Sequence, residues 1–193
     1  MTLNIYKFNY KFYGTTYSLC FSLSKENTKQ IDDWNLSLDK IVLDEQLRTG
    51  NFLGKFQIDD DLKSLLEKMK EQGIIQPYYG MINPRSYIYT LQILQKTCKV
   101  EVTHTVMEQK ISIEEPLSIH RFKLFGNPVN GSHRLMVKKQ EYKKLTKWKF
   151  WNPKEEFTAR YIYKFLPTSV GLGIKVLDVN SNEEIDITDY KDW

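Results

Sequence analysis

Cysteine is scarce. Only Cys20 and Cys98 occur in 193 residues, 78 positions apart, which is too few for a secreted disulfide scaffold and leaves no CxxC pair for zinc. Both thiols are expected to be reduced, in the cytoplasm. No run of about 18 apolar residues occurs, so no transmembrane helix and no membrane partner is expected. The first twelve residues are interrupted by polar side chains and read as a strand, not a signal peptide. Glycine (9) and proline (6) are too rare for a collagen-like or linker-like chain. Val170-Gly-Leu-Gly173 is the nearest approach to a glycine-rich loop, and it lacks the third glycine and the following helix of a dinucleotide fingerprint. GxxxxGK[ST] and GxSxG are missing, which removes P-loop chemistry and the usual nucleophile elbow. No repeat of solenoid or propeller period is found, and no cofactor is expected.

What remains is an ordinary globular composition, 41% hydrophobic and 27% charged, with 12 Tyr, 10 Phe and 4 Trp. That mix can bury a core and argues against a largely disordered chain. A length of 193 residues suits a single domain, with a possible internal subdivision near 76–86, where Pro77, Gly80 and Pro84 punctuate the chain.

Periodicity predicts the fold. Tyr6, Phe8, Tyr10 and Phe12 alternate with polar residues that include Lys7, and Tyr17, Leu19, Phe21 and Leu23 alternate in turn. With Gly14 at the turn, residues 3–23 read as a β-hairpin. Ile31, Trp34, Leu38, Ile41 and Val42 change to helical spacing, with a break expected near Asn35 and Ser37. A second helix follows Asp59-Asp60-Asp61, carries the stripe Leu62, Leu65, Leu66 and Met69, and stops at Gly73. From Tyr87 the chain alternates with period two: Tyr87–Ile93, Val100–Val106, Ile111–Ile113, His120–Leu124, a run through Trp151 that reads as a long polar strand or strand pair, Phe157–Phe165, and a closing hairpin about Asn180-Ser-Asn182. Gly126–Gly131 is a loop of turn formers. Segregated elements of this kind predict an α+β fold: an N-terminal β-hairpin, two helices, then a mainly antiparallel sheet of about seven further strands.

Charge is unevenly placed. Residues 120–165 hold twelve basic and three acidic residues, a balance of +9, whereas the whole chain is only +4. Within the block, Lys138–Lys154 carries seven lysines and one glutamate, with Tyr142, Trp148, Phe150 and Trp151 between them. Phosphates attract such clusters by Coulomb forces and counterion release, and aromatic rings can stack on bases. The same pattern suits a solvated outer face over a packed aromatic side, or an edge strand guarded by lysine. The candidate anion-binding set is Arg121, Lys123, Lys138, Lys139, Tyr142, Lys143, Lys144, Lys147, Trp148, Lys149, Trp151 and Lys154. Arginine forks are sparse there, so any nucleic-acid binding is expected to ignore base sequence.

His104 shares the apolar face of its strand, and His120 is in phase with Phe122 and Leu124. Each is a possible general acid or base, and each equally suits a hydrogen-bonded core position. With His133 they make no metal-binding spacing, so no metal site is expected. A Cys98–His104 pair fails, because six strand residues separate the two by about 20 Å. The Asp59–Asp61 cluster fits a helix start. The acids of Glu183–Asp192 fit a solvated hairpin and tail, or an intramolecular partner for the basic block.

Three functions follow. The first is a non-catalytic binding module that holds an anionic partner, nucleic acid or acidic protein, on residues 121–164. The second is an immunity- or inhibitor-type protein that occludes a partner, with Tyr78 and Tyr79 as its contact loop. The third is a metal-independent RNA-processing enzyme built on a histidine. Oligomeric state is not encoded in these patterns.

Overall fold

The computed structural model describes residues 3–12, 15–49, 51–52, 56–57, 64, 67–68, 71–72, 87–105, 107–121, 134–168 and 171–192. The fold is α+β with a mainly antiparallel sheet. Strands β1 (Leu3–Phe12) and β2 (Thr15–Ser22) form the N-terminal hairpin, with Phe12 opposite Thr15; its turn, with Gly14, lies outside the described residues. Helix α1 (Lys25–Thr49) follows. A two-residue pair, β3 (Asn51–Phe52) and β4 (Phe56–Gln57), makes a small separate ladder. Then come β5 (Tyr87–Leu94), β6 (Thr97–His104), β7 (Gln109–Arg121), β8 (Arg134–Lys138), helix α2 (Lys139–Thr146), β9 (Tyr161–Pro167), β10 (Leu172–Asp178), β11 (Glu183–Asp186) and a closing 3₁₀ turn, Tyr190–Asp192.

Of the second expected helix, Ser64, Glu67, Lys68 and Glu71 are helical and exposed, as its polar face should be. Its apolar stripe, the 76–86 boundary and the Gly126–Gly131 loop lie outside the described residues.

The nine-stranded sheet runs β11-β10-β9-β5-β6-β7-β1-β2-β8. Neighbours are antiparallel except β1 and β7, which run parallel. β7 serves two ladders. Its residues Gln109–Pro116 pair with β6, and its residues Leu117–Arg121 pair with β1. Pro116 sits at the handover, where a residue without an N–H costs the ladder least, and Leu117 donates its N–H to the Lys96 carbonyl at 2.8 Å.

Register places the core on one face. Tyr89, Leu91 and Ile93 oppose Val102, Val100 and Cys98 on one side, and Tyr89 and Leu91 oppose Phe165 and Tyr163 on the other. All eight are buried. Leu3, Ile5, Leu19, Phe21, Leu135 and Val137 make the corresponding buried set on β1, β2 and β8. Phe21 meets Tyr163 and Phe165 at ring-centroid distances of 5.0 and 5.7 Å. Four strands separate β2 from β9 in the sheet order, so the inner faces of its two ends lie against each other. Each buried side chain of this size contributes roughly 1.5–3 kcal/mol of burial. The outward face of β5–β11 is solvated, and its charges pair among themselves: Lys110 and Lys99 with Glu101, Lys164 and Lys175 with Glu184. The acids of the closing hairpin thus do reach one lysine of the basic block, Lys164.

Four local expectations are corrected. α1 does not break near Asn35, because Asn35 lies on its buried side with Ile31 and Leu38 and the Ser37 hydroxyl is satisfied by the Trp34 carbonyl at 2.7 Å. Lys7, expected to face outward, shares a face with Ile5 and Leu19, because it stands opposite Leu19 in the ladder. Residues 139–146 are helix and 147–160 are successive turns, where a strand was expected. The Glu141 carboxylate accepts the Lys138 N–H at 2.7 Å, capping the helix start, while Leu145 is buried below. Finally, β9 begins at Tyr161, not near Phe157, and Ala159 is exposed.

Candidate functional site

The basic block is organised by α2 and the turns after it. Lys139 and Lys143 are spaced i, i+4 on α2, and Lys147, the residue that caps its end in right-handed helical conformation, continues their row at i+8, about 6 Å of axis per step. All three are exposed, as are Lys149 and Lys154 in the turns. Among the described residues, none of these five lysines meets a carboxylate, in contrast to the paired lysines of the sheet's outer face. Lys149 lies over the Phe150 ring at 4.6 Å. Lys143 and Lys144 occupy the last helical turn, where positive charge complements the helix dipole. Lys144 differs from its neighbours. Its ammonium donates to the Thr188 carbonyl and lies 6.0 Å from the Tyr190 ring, tying α2 to the C-terminal tail. Lys138, last in β8, is half-buried.

The aromatic residues of the block form a floor under these lysines. Tyr142, Trp148 and Trp151 are half-buried and pack against the core. Trp151 stacks at 4.8 Å on Tyr161 and meets Tyr142 edge-on at 6.4 Å. Trp148 meets Phe150 edge-on at 5.5 Å.

Polar contacts centred on three side chains, Glu156, Arg160 and Glu141, hold the floor in place. Glu156, 3% exposed, accepts the Tyr142 hydroxyl through Oε1 and the Lys7 ammonium through Oε2, both at 2.6 Å. Its backbone carbonyl accepts the Tyr163 hydroxyl at 3.1 Å. Burial and the neighbouring Glu156 carboxylate push the Tyr142 phenol well above its ordinary pKa. Arg160 donates to both Asp178 oxygens, at 3.1 and 2.8 Å, to Glu155, and to the Phe150 carbonyl. The hydrogen bonds from Arg160 hold the Asp178 carboxyl below the usual carboxylate range. The Phe150 carbonyl also accepts the Tyr161 hydroxyl at 2.8 Å, and the Tyr161 hydroxyl oxygen in turn accepts the Asn152 N–H at 2.7 Å. Glu141, 2% exposed, caps α2 with Oε2 and accepts the Asp189 N–H with Oε1 at 3.2 Å; burial raises its pKa. Glu156, Glu141, Lys7, Arg160 and Asp178 are absent from the set read from sequence. None had a local signal; even Glu141 stands three residues after a lysine and not after the Ser or Thr that marks a capping box.

His104 is fully buried. Nδ1 accepts the Met107 N–H at 3.1 Å, so the ring proton of the neutral imidazole sits on Nε2, which faces Asp39 Oδ1 at 3.4 Å. Tyr87 stands edge-on at 5.1 Å. Both nitrogens are engaged and no face is open to water. Cys98 and Cys20 are buried free thiols, each pushed up to about 12 by burial. His120 and Arg121 lie on β7, paired with Tyr6 and Lys7 of β1, and their side chains are outside the described part of the structure. Lys123, His133, Tyr78 and Tyr79 also lie outside the described residues. Among the described residues no cluster of His, Cys, Asp or Glu could hold a metal ion, and no helix is long and apolar enough to cross a membrane.

The structure therefore brings Lys139, Tyr142, Lys143, Lys144, Lys147, Trp148, Lys149, Trp151 and Lys154 into one continuous segment, with the ammonium groups outside and the rings inside. Comparison with protein-family models, curated proteins and solved structures finds no match to this chain.

Proposed function

We propose that this protein is a non-catalytic binding module that holds an anionic partner on the lysine face of α2 and the turns that follow. The observation that carries the reading is a lysine row that meets no carboxylate among the described residues. Like charges at i, i+4 destabilise a helix by a few tenths of a kcal/mol per pair. Lys139, Lys143 and Lys147 bear that cost, while the lysines of the sheet are neutralised by Glu101 and Glu184. An anionic partner supplies the missing charge. The rigid aromatic floor supports the reading, because a face held in place loses little conformational freedom on binding. His104 lends no support to an enzymatic alternative, since its nitrogens are engaged with Met107 and Asp39.

Retention on immobilised heparin tests the reading. The combined variant Lys139→Gln, Lys143→Gln, Lys147→Gln should elute at clearly lower salt than a variant of equal net charge, Lys99→Gln, Lys110→Gln, Lys175→Gln. Equal elution of the two variants would show that only net charge matters and would remove the site.

A further inference from the structure

We infer that the partner is a nucleic-acid duplex, gripped through its phosphates by the ammonium row of α2. The inference rests on the anionic-partner reading and narrows it by what the surface displays and what it withholds.

Acidic protein partners are recognised by well-packed anchors. Aromatic residues and arginine are enriched at protein interfaces and lysine is depleted. Here the order is inverted. The exposed charged groups of α2 are lysines, and the aromatics of the segment are turned inward, with Tyr142 bound to Glu156 and Trp151 against Tyr161. Arg160, whose guanidinium donates to the Phe150 carbonyl, is occupied by Asp178 and Glu155. A single strand of nucleic acid is bound in a different way, by a basic groove whose exposed rings stack on unpaired bases. The rings of this segment meet one another edge-on and pack against the core, and the basic face is the convex side of a helix. What such a face offers is a line of point charges on flexible stems. That suits a regular array of phosphates, the repeating element of a duplex exterior, and carries no base readout. DNA and RNA duplexes share this chemistry.

The magnitude follows from counterion release. Three lysines that each neutralise one phosphate give a slope of about −2.7 in log K against log salt, a loss of about 40-fold between about 50 and 200 mM salt. Lys149 and Lys154 steepen this if they also reach the backbone.

Fluorescence anisotropy with a labelled duplex of about two helical turns, as DNA and as RNA, would test the inference alongside the corresponding single strand and labelled polyglutamate. The expected result is binding to at least one duplex, tighter than to the single strand. It should be insensitive to base sequence, with a salt slope that becomes shallower by about 2.7 in the Lys139→Gln, Lys143→Gln, Lys147→Gln variant. The Lys99→Gln, Lys110→Gln, Lys175→Gln variant should retain the slope. Binding to DNA alone, or to RNA alone, identifies the source of the phosphates and supports the inference. Tighter binding to the single strand, or binding to polyglutamate without duplex binding, would overturn the duplex and leave an anionic partner standing. A failure with all four probes would remove both.

Discussion

The contact between Tyr142 and Glu156 joins the lysine-bearing helix to the body of the fold, and its strength can be worked out. The phenol donates at 2.6 Å to a carboxylate that is 3% exposed. A hydrogen bond to a charged group contributes about 1.5–3 kcal/mol, and the lower half of that range applies because Tyr142 is only half-buried. Tyr142→Phe should therefore cost about 2 kcal/mol. For a chain of this length that is a fall in Tm of roughly 4–8 °C. Glu156→Gln keeps the shape but sets an amide against the Lys7 ammonium. Lys7 is 37% exposed and can turn to water, so the loss there is about 1–2 kcal/mol. The glutamine carbonyl can still accept the phenol as a neutral hydrogen bond of about 1 kcal/mol. The two substitutions should then fall short of additivity by roughly 1 kcal/mol in urea unfolding of the four members of the cycle. If Tyr142→Phe shifts stability by less than about 0.5 kcal/mol, or if the double variant equals the sum of the singles, the phenol–carboxylate bond does not anchor α2 and this account of the floor is wrong. Heparin retention measured on the same proteins separates geometry from charge, since Tyr142→Phe alters only the former.

Two further outcomes are expected. Arg160 lowers the folded-state pKa of Asp178, so the contribution of this pair to stability is complete above about pH 4 and fades as the pH falls through the depressed value. Urea midpoints followed down from neutral pH should drop less steeply below about pH 4 in Asp178→Asn than in the parent, and parallel curves would refute the pairing. Because burial holds the Cys20 and Cys98 thiols near 12, neither should react with iodoacetamide at neutral pH until the protein unfolds, and native-state alkylation of either would contradict its burial.

Much of the fold is legible where side-chain parity and burial agree. Tyr87–Ile93, Val100–His104 and Tyr161–Phe165 alternate because one face of an antiparallel sheet is solvated, and the structure buries the residues the pattern marks. The hairpin of β1 and β2 is local and shows by its alternation, although in β1 the buried parity is that of Leu3 and Ile5 and not that of Tyr6 and Phe8. Helix α2 is not legible. In its eight residues the buried positions are Glu141 and Leu145, so half of the helical stripe is a carboxylate, and the following Lys147-Trp148-Lys149-Phe150 mimics a strand. The parallel pairing of Leu3 with Leu117 is hidden because nothing near either residue encodes the other. The contacts that build the candidate site are likewise long-range. Lys7 and Glu156 lie 149 positions apart, and each alone reads as an ordinary surface charge. The lysine run itself is plain in the sequence, but whether its rings face in or out depends on that distant carboxylate.

The placement of β1 between β2 and β7 has a consequence for biogenesis. The β1–β2 hairpin is synthesised before its neighbours, so its β1 side stays unsatisfied until Leu117–Arg121 has been made and its β2 side until Arg134–Lys138 has been made. During that interval the nascent chain displays an open ladder edge, which chaperones bind and other chains can join. Closure of this seam, a contact of high sequence separation, unites the two halves of the sheet and should set the pace of maturation.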